Sequence, residues 1–220
     1  MTVCSGQRYR RGVIDEEYIA RHTAEVPLRD GGRVVVRPIT PEDRDALREG
    51  FARLSDASRR FRFLTSRASL SEHELDYLTI VDHRDHVAWV ALDPDNDMEG
   101  VGVARYVRVA DDPKVAEPAV TVIDEYHRRG IGGILMALLA ESAHANGIER
   151  FRAEVLGDNL EVLSGIADVG RVTEVQSGVL SVEIALPLPG ITFERTGVYE
   201  LLRHVAAGRI VPRGAGPEVT

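Results

Sequence analysis

The spacing of apolar positions changes repeatedly along the chain, and each change predicts a new element. Residues 33–39 (RVVVRPI) form a valine-rich run stopped by Pro38 and the Thr40-Pro41 pair, which predicts a first strand. Thr40-Pro41-Glu42-Asp43 then offers a helix cap, a proline for the first turn and an acid three residues on, while Leu47, Phe51 and Leu54 continue at helical spacing. After Ser55-Asp56 a second helical section passes through Arg59, Arg60, Phe61 and Phe63. A third starts at Ser71, whose spacing to Glu74 fits a capping box, and ends near Val81-Asp82. Residues 86–92 (HVAWVAL) and 100–109 (GVGVARYVRV) read as an antiparallel hairpin around Asp93-Pro94-Asp95-Asn96-Asp97.

Residues 117–123 predict a further strand that runs straight into an apolar helix. Ile131, Leu135 and Leu138 lie on one line of that helix and Met136, Leu139 and Ala143 on the next, with Asn146-Gly147 as a left-handed stop. A helix apolar over so much of its circumference must be buried against a sheet. Residues 150–156 alternate Phe151, Ala153 and Val155 with charged neighbours, the pattern of a half-covered strand. A short helix over 159–167 leads to Gly170, and strands over 171–176 and 179–186 are joined by Ser177-Gly178. Weaker helical patches at 14–22 and 199–207 flank this body. The second is a candidate for docking on the domain, covering a cleft or pairing two copies into a homodimer. The order of elements defines an α/β arrangement with a mixed sheet.

Composition narrows the class. With 220 residues, 44% apolar and 28% charged, the chain suits one globular domain over 33–193, an N-terminal extension over 1–32 and a C-terminal tail over 194–220. A net charge of −8 argues against a nucleic-acid-binding surface and suits a cationic partner. The single cysteine, Cys4, excludes an intrachain disulfide. The polar start has no leader-like apolar core, and no apolar run is long enough to span a membrane, so a cytoplasmic location is expected. Seven scattered histidines show no zinc-binding spacing, so no metal is expected.

The candidate chemistry lies in His127-Arg128-Arg129-Gly130-Ile131-Gly132-Gly133. Glycines at a helix start leave main-chain N–H groups free to converge on an anion, and the helix dipole and the arginines add to the attraction. The nucleotide P-loop is excluded because Ile134 and Leu135 follow Gly133 instead of Lys and Ser or Thr. The dinucleotide fingerprint is excluded because Leu135 stands where its last glycine would be. A diphosphate-bearing cofactor is the leading expectation, and a glycine turn before a core helix without a ligand is the bland one.

His127 to Gly132 resembles the Q/R-x-x-G-x-G/A pyrophosphate loop of the GNAT superfamily of N-acetyltransferases, with His127 where Gln or Arg is usual. Leu28-Arg29-Asp30-Gly31, Arg37-Pro38-Ile39, Phe51-Ala52-Arg53-Leu54-Ser55 and Arg60-Phe61 are similar to the catalytic domain of bacterial Pat-type protein-lysine acetyltransferases. The resemblance implies a GNAT-like mixed, mostly antiparallel central sheet flanked by helices. It also implies acetyl-CoA as co-substrate, its diphosphate on His127, Arg128, Arg129, Gly130, Ile131, Gly132 and Gly133 and its pantetheine arm along Val120, Thr121 and Val122. Glu117 falls where the family places a general base, with Glu125 and Glu154 as competitors and a solvated strand-end carboxylate as the plain alternative. Asn159 falls at the family's cofactor- or substrate-contacting asparagine. Ile166 replaces the tyrosine that commonly protonates the leaving thiolate, and Arg171 an aromatic.

The implied reaction is direct attack of a primary amine on the thioester. Protein lysine is the first choice of acceptor and a small-molecule amine the second, and a non-catalytic acyl-CoA-binding module is an alternative of another class. Pro118 favours an opening or bulge in its strand. Asp82 to His86 reads as a solvated loop or an acceptor-cleft wall. Trp89 and Tyr106 read as packing residues, and Arg59, Arg60 and Arg62 as a solvated helix face with a lesser claim on the cofactor's phosphates.

Overall fold

A computed structural model describes residues 15–64, 68–188 and 197–209, so Cys4, Ile14 and Pro189 lie outside the described residues. In chain order the elements are α1 (Glu16–Arg21), β1 (Ala24–Pro27), β2 (Arg33–Pro38), α2 (Arg44–Arg53), α3 (Asp56–Phe63), α4 (Glu72–Thr79), β3 (His86–Asp93), β4 (Glu99–Arg108) and β5 (Val115–Val122). They continue with α5 (Ile131–Ala145), β6 (Arg150–Leu156), α6 (Leu160–Ile166), β7 (Gly170–Gln176), β8 (Val179–Ala185) and α7 (Gly197–Ala206). The eight strands form one sheet in the order β1-β2-β3-β4-β5-β6-β8-β7. All neighbours run antiparallel except β5 and β6. A parallel neighbour requires a long crossover, and α5 is that crossover.

Burial on both sheet faces follows from the unbroken apolar run in β3. Val87, Trp89 and Ala91 point into the core beneath α5, while Ala88, Val90 and Leu92 belong to a second cluster with Ile39 and Val81 on the opposite face. Trp89 settles its indole N–H on the Ser142 hydroxyl of α5 at 3.0 Å. Tyr106 is fully buried, donates to the Arg84 carbonyl at 2.8 Å and accepts from Asn146 at 2.8 Å. Both are packing residues, as their strand positions suggest. Leu135, Leu138 and Leu139 of α5 are fully buried. Gly102 of β4 lets α5 approach, since a Cβ there would stand 3.1 Å from the Leu135 side chain.

The β3–β4 hairpin, the Ser71 capping box, the left-handed stop at Gly147 and the tight β7–β8 turn with Ser177 and Gly178 at positive φ all form as the sequence predicts. Three features differ. Thr40 opens a 3-10 turn over Pro41–Asp43, and the α-helix begins only at Arg44. The Asp43 carboxylate that closes this cap is also gripped by the Arg37 guanidinium at 2.6 and 2.7 Å. Ala24–Pro27 joins the sheet as its edge strand β1, paired with β2. With Val26 as its one fully buried side chain, β1 is too short to show an alternation. Finally, the pairing of β4 with β5 runs in register straight through Pro118, so no bulge forms there.

The tail helix α7 packs on α5 and β1, with Leu202 and Val205 fully buried. Of the three roles expected for residues 199–207, docking on the domain is the one seen in the structure.

Candidate active site

The site is built where β5 and β6 part. Among the described residues they pair only at Val115 with Arg150 and Ala116 with Phe151, and from Glu117 onward β5 has no strand partner on that side. The Ile123 N–H donates to Val101 and the Val115 carbonyl accepts from Val109, so odd-numbered residues of β5 turn their main chain towards β4. Even-numbered residues therefore turn theirs into the gap. Pro118 is one of these, and its missing N–H costs the ladder nothing. Val120 and Val122 present main-chain groups to the gap, whereas Thr121 bonds towards β4.

His127 sets the upper end of the gap. Its Nε2 lies 2.8 Å from the Val122 carbonyl and, a carbonyl being an acceptor only, donates to it. Nδ1 stands 4.0 Å from Glu161 of α6, across the gap. The Val122 carbonyl is thus engaged, and its N–H still faces the opening.

Arg128 and Gly130 take positive φ, +61° and +92°, and Gly130 is the N-cap of α5. Gly130 has no side chain to cap the helix, and the N–H groups of Ile131, Gly132 and Gly133 occupy its first turn, where no intrahelical partner exists. With the helix dipole, worth about half a positive charge at this end, they make an anion-binding mouth. A Cβ at Gly132 would meet only Val122 and Val120, at 3.9 and 4.0 Å, which is ordinary contact. Protein packing therefore does not demand glycine at 132, whereas close approach of a ligand would.

Two arginines flank the mouth differently. Arg128 is exposed and has no ion-pair partner among the described residues. Arg129 donates from Nε to Asp30 at 2.5 Å and lies 5.0 Å over the Tyr126 ring. The Arg129 hydrogen bond, helped by the Gly32 N–H, holds the Asp30 carboxyl below its ordinary range. The sequence reading gave no place at this site to Arg29, whose side chain would stand 3.8 Å from a Cβ at Gly130. It also overlooked Asp124, which accepts from the Ser55 N–H at 3.0 Å and from the Ser55 and Ser58 hydroxyls at 2.7 and 3.0 Å. Burial pushes the Asp124 carboxyl up, but these bonds and the nearby His127 outweigh it and leave it lowered. Asp124 thereby ties α3 to the loop that leads into α5. Arg60, 2.9 Å from Asp158, links the same helix to the far side of the gap. These pairs span 69 and 98 residues, so no local pattern could announce them.

Glu117 is exposed and stands at the fork itself, one residue beyond the last β5–β6 pair. It faces Val107 across the β4 ladder, on the sheet face opposite α5. Of its competitors, Glu125 is paired with Arg53 at 3.4 Å, and Glu154 sits opposite Ser181 on the β8 side of β6. Asn159 caps α6 by accepting from the Val162 N–H at 3.3 Å. Ile166 is half-buried and packs on the core, and Gly170 comes so close to α6 that a Cβ would lie 2.9 Å from the Ile166 carbonyl. Among the described residues no group of three or more His, Cys, Asp or Glu is placed to hold a metal ion, and no helix is long and apolar enough to cross a membrane.

The parallel strands β5 and β6 thus part beneath a glycine-rich helix start. The chain belongs to the acetyltransferase (GNAT) family, whose model matches residues 48–164. It is 37% identical over 124 residues to the acetyltransferase PA5475 of Pseudomonas aeruginosa, covering 56% of this chain and 66% of that protein. It is 35% identical over 167 residues to the acetyltransferase Pat of Mycolicibacterium smegmatis, covering 74% of this chain and 48% of that one. The chain thus spans less than two thirds of either relative. Among solved structures, the GNAT domain of S. lividans PAT superposes with a TM-score of 0.70 at 30% identity, over 79% of this chain and all of that domain. The mixed, mostly antiparallel sheet flanked by helices is therefore both the expected and the observed architecture.

Proposed function

We propose that this chain is an acetyl-CoA-dependent N-acetyltransferase that acts on a primary amine, with protein lysine as the preferred acceptor. The observation that carries it is the alignment of free amides at 131–133 with the open side of β5 in a chain of this family. Those amides, with Arg128, hold the diphosphate. The gap-facing main chain of Val120 and Val122 receives the pantetheine arm, and the Val122 N–H polarises the thioester carbonyl. Thr121, whose main chain serves β4, contributes to the wall. Asn159 closes the far side of the gap.

Glu117 takes the proton from the incoming ammonium group, directly or through water, and so frees the lone pair for attack. No hydroxyl stands at Ile166 to protonate the departing thiolate. Coenzyme A is a good enough leaving group for solvent to serve. The net charge of −8 favours a cationic acceptor. A soluble, cytoplasmic setting fits this reading.

Release of free thiol from acetyl-CoA, measured across lysine-containing proteins and small amines, tests the proposal. Turnover with proteins supports it as stated, and turnover only with small amines replaces the acceptor. The second reading, a non-catalytic acyl-CoA-binding module, is favoured by Ile166. Binding of acetyl-CoA without thiol release from any amine would establish it, and failure to bind acetyl-CoA would remove both.

A further inference from the structure

On the sheet face away from α5, helices α2 to α4 stand off from the strands around a cavity of about 710 Å³, its open mouth included. Leu47, Phe51, Phe63 and Leu70 line its helical side and Val90 its floor. Arg62 and Arg105 break this apolar lining. The sequence reading set Arg62 on a solvated helix face, but the structure turns it inward, with its guanidinium 4.8 Å from the centre of the Phe63 ring.

Arg105 is only 5% exposed. Its Nη1 donates to the Leu78 carbonyl at 2.9 Å and lies 3.2 Å from His86 Nε2. Burial, and then the positive charge of neighbouring Arg62, push its pKa down to about 9. Asp43 also lines the cavity, but its carboxylate is taken by Arg37 at 2.6 and 2.7 Å. Among the described residues, neither Arg62 nor Arg105 has a carboxylate partner.

Two guanidinium groups that line one largely apolar cavity without a carboxylate partner repel each other and lose part of their hydration. An anion placed between them replaces that repulsion with charge-assisted hydrogen bonds, and the planar forks match a carboxylate. The apolar walls select an anion carried on an apolar body. We propose that this cavity binds a carboxylate at the end of a short aliphatic chain, held by Arg62 and Arg105.

Thr121 and Ile123 of β5 line the same cavity, and Arg105 faces Ala119 across the β4–β5 ladder. A chain attached to the thioester can therefore reach the arginines from β5. The carboxylate has two possible carriers, a dicarboxylic acyl group on coenzyme A or a free acid. The first rests on the proposed function, and the second does not.

Calorimetric titration of the full chain and of Arg62→Met with hexanoate, hexanamide, succinyl-CoA and acetyl-CoA separates these cases. Saturable binding of hexanoate that Arg62→Met weakens about tenfold or more, the scale of a hydrogen bond to a charged group, supports the free acid. Tighter binding of succinyl-CoA than of acetyl-CoA, with the preference erased in Arg62→Met, supports the acyl donor. The inference is overturned if hexanamide binds as well as hexanoate. It is equally overturned if neither carboxylate ligand shows a dependence on Arg62. Acetyl-CoA binding by Arg62→Met reports that the variant is folded. Failure of acetyl-CoA to bind even the unaltered chain would remove the proposed function while the hexanoate result still decides the cavity.

Discussion

Glu117 and His127 act on the same strand from opposite ends, and their substitutions should separate chemistry from cofactor placement. In the proposed reaction Glu117 would contribute through its carboxylate alone, because its main chain belongs to the β4 ladder. Glu117→Gln keeps the size and loses the base, so kcat should fall about a hundredfold or more, the usual worth of a positioned base. Acetyl-CoA affinity should not change. An unaltered kcat would show Glu117 to be the solvated strand-end carboxylate instead. His127 holds the Val122 carbonyl, so His127→Ala frees that group and loosens the strand end. The expected result is a several-fold rise in KM for acetyl-CoA with a loss of about 1 kcal/mol of stability in urea titration. His127→Gln, which retains a donor, should recover most of both.

At the scale of elements, the start of α5 is where local backbone and the proposed cofactor site coincide. Gly130 sits at φ +92°, a conformation that costs a residue with a Cβ about 1–2 kcal/mol. Gly130→Ala should therefore lower the melting temperature and weaken acetyl-CoA binding together, measurable by thermal shift with and without the co-substrate. A fall in stability with unchanged binding would uncouple the turn from the mouth. This loop was legible in the sequence because its signals are local: a strand, glycines at fixed offsets and an apolar helix follow one another within 30 residues. Pro118 was half legible, since a missing donor predicts an opening but cannot say on which side. The phase of the β5 ladder, which puts the proline towards the gap, is a property of the sheet. Arg62 was misread because a run of arginines looks the same whether the helix turns it outward or over a cavity. The short edge strand β1 was missed because its pairing with β2, and not its own composition, makes it a strand.

For the molecule as a whole, acid sensitivity is concentrated where α1, α4, β3 and β4 meet. His22 stacks on Tyr18 at 3.9 Å, Tyr18 approaches His83 at 5.7 Å, Tyr77 approaches His86 at 5.0 Å, and His86 borders buried Arg105. Burial pushes the pKa of His83 and of His86 down from 6.5 to about 4. The Asp82 charge opposes the shift for both, and Arg105 adds to it for His86. In the unfolded chain these rings take their protons near pH 6.5, whereas in the folded chain they resist until about pH 4. Between those values the unfolded state binds more protons, so their contribution to stability is full above pH 6.5 and is lost as pH falls towards 4. After allowance for partial exposure, the two together should amount to about 2 kcal/mol or more. Urea unfolding at pH 7.5 and pH 5.0 should show that loss, and replacing both rings with Gln should flatten the difference. An equal loss in the double variant would place the acid sensitivity in the carboxylates, whose ion pairs with arginine link several elements among the described residues.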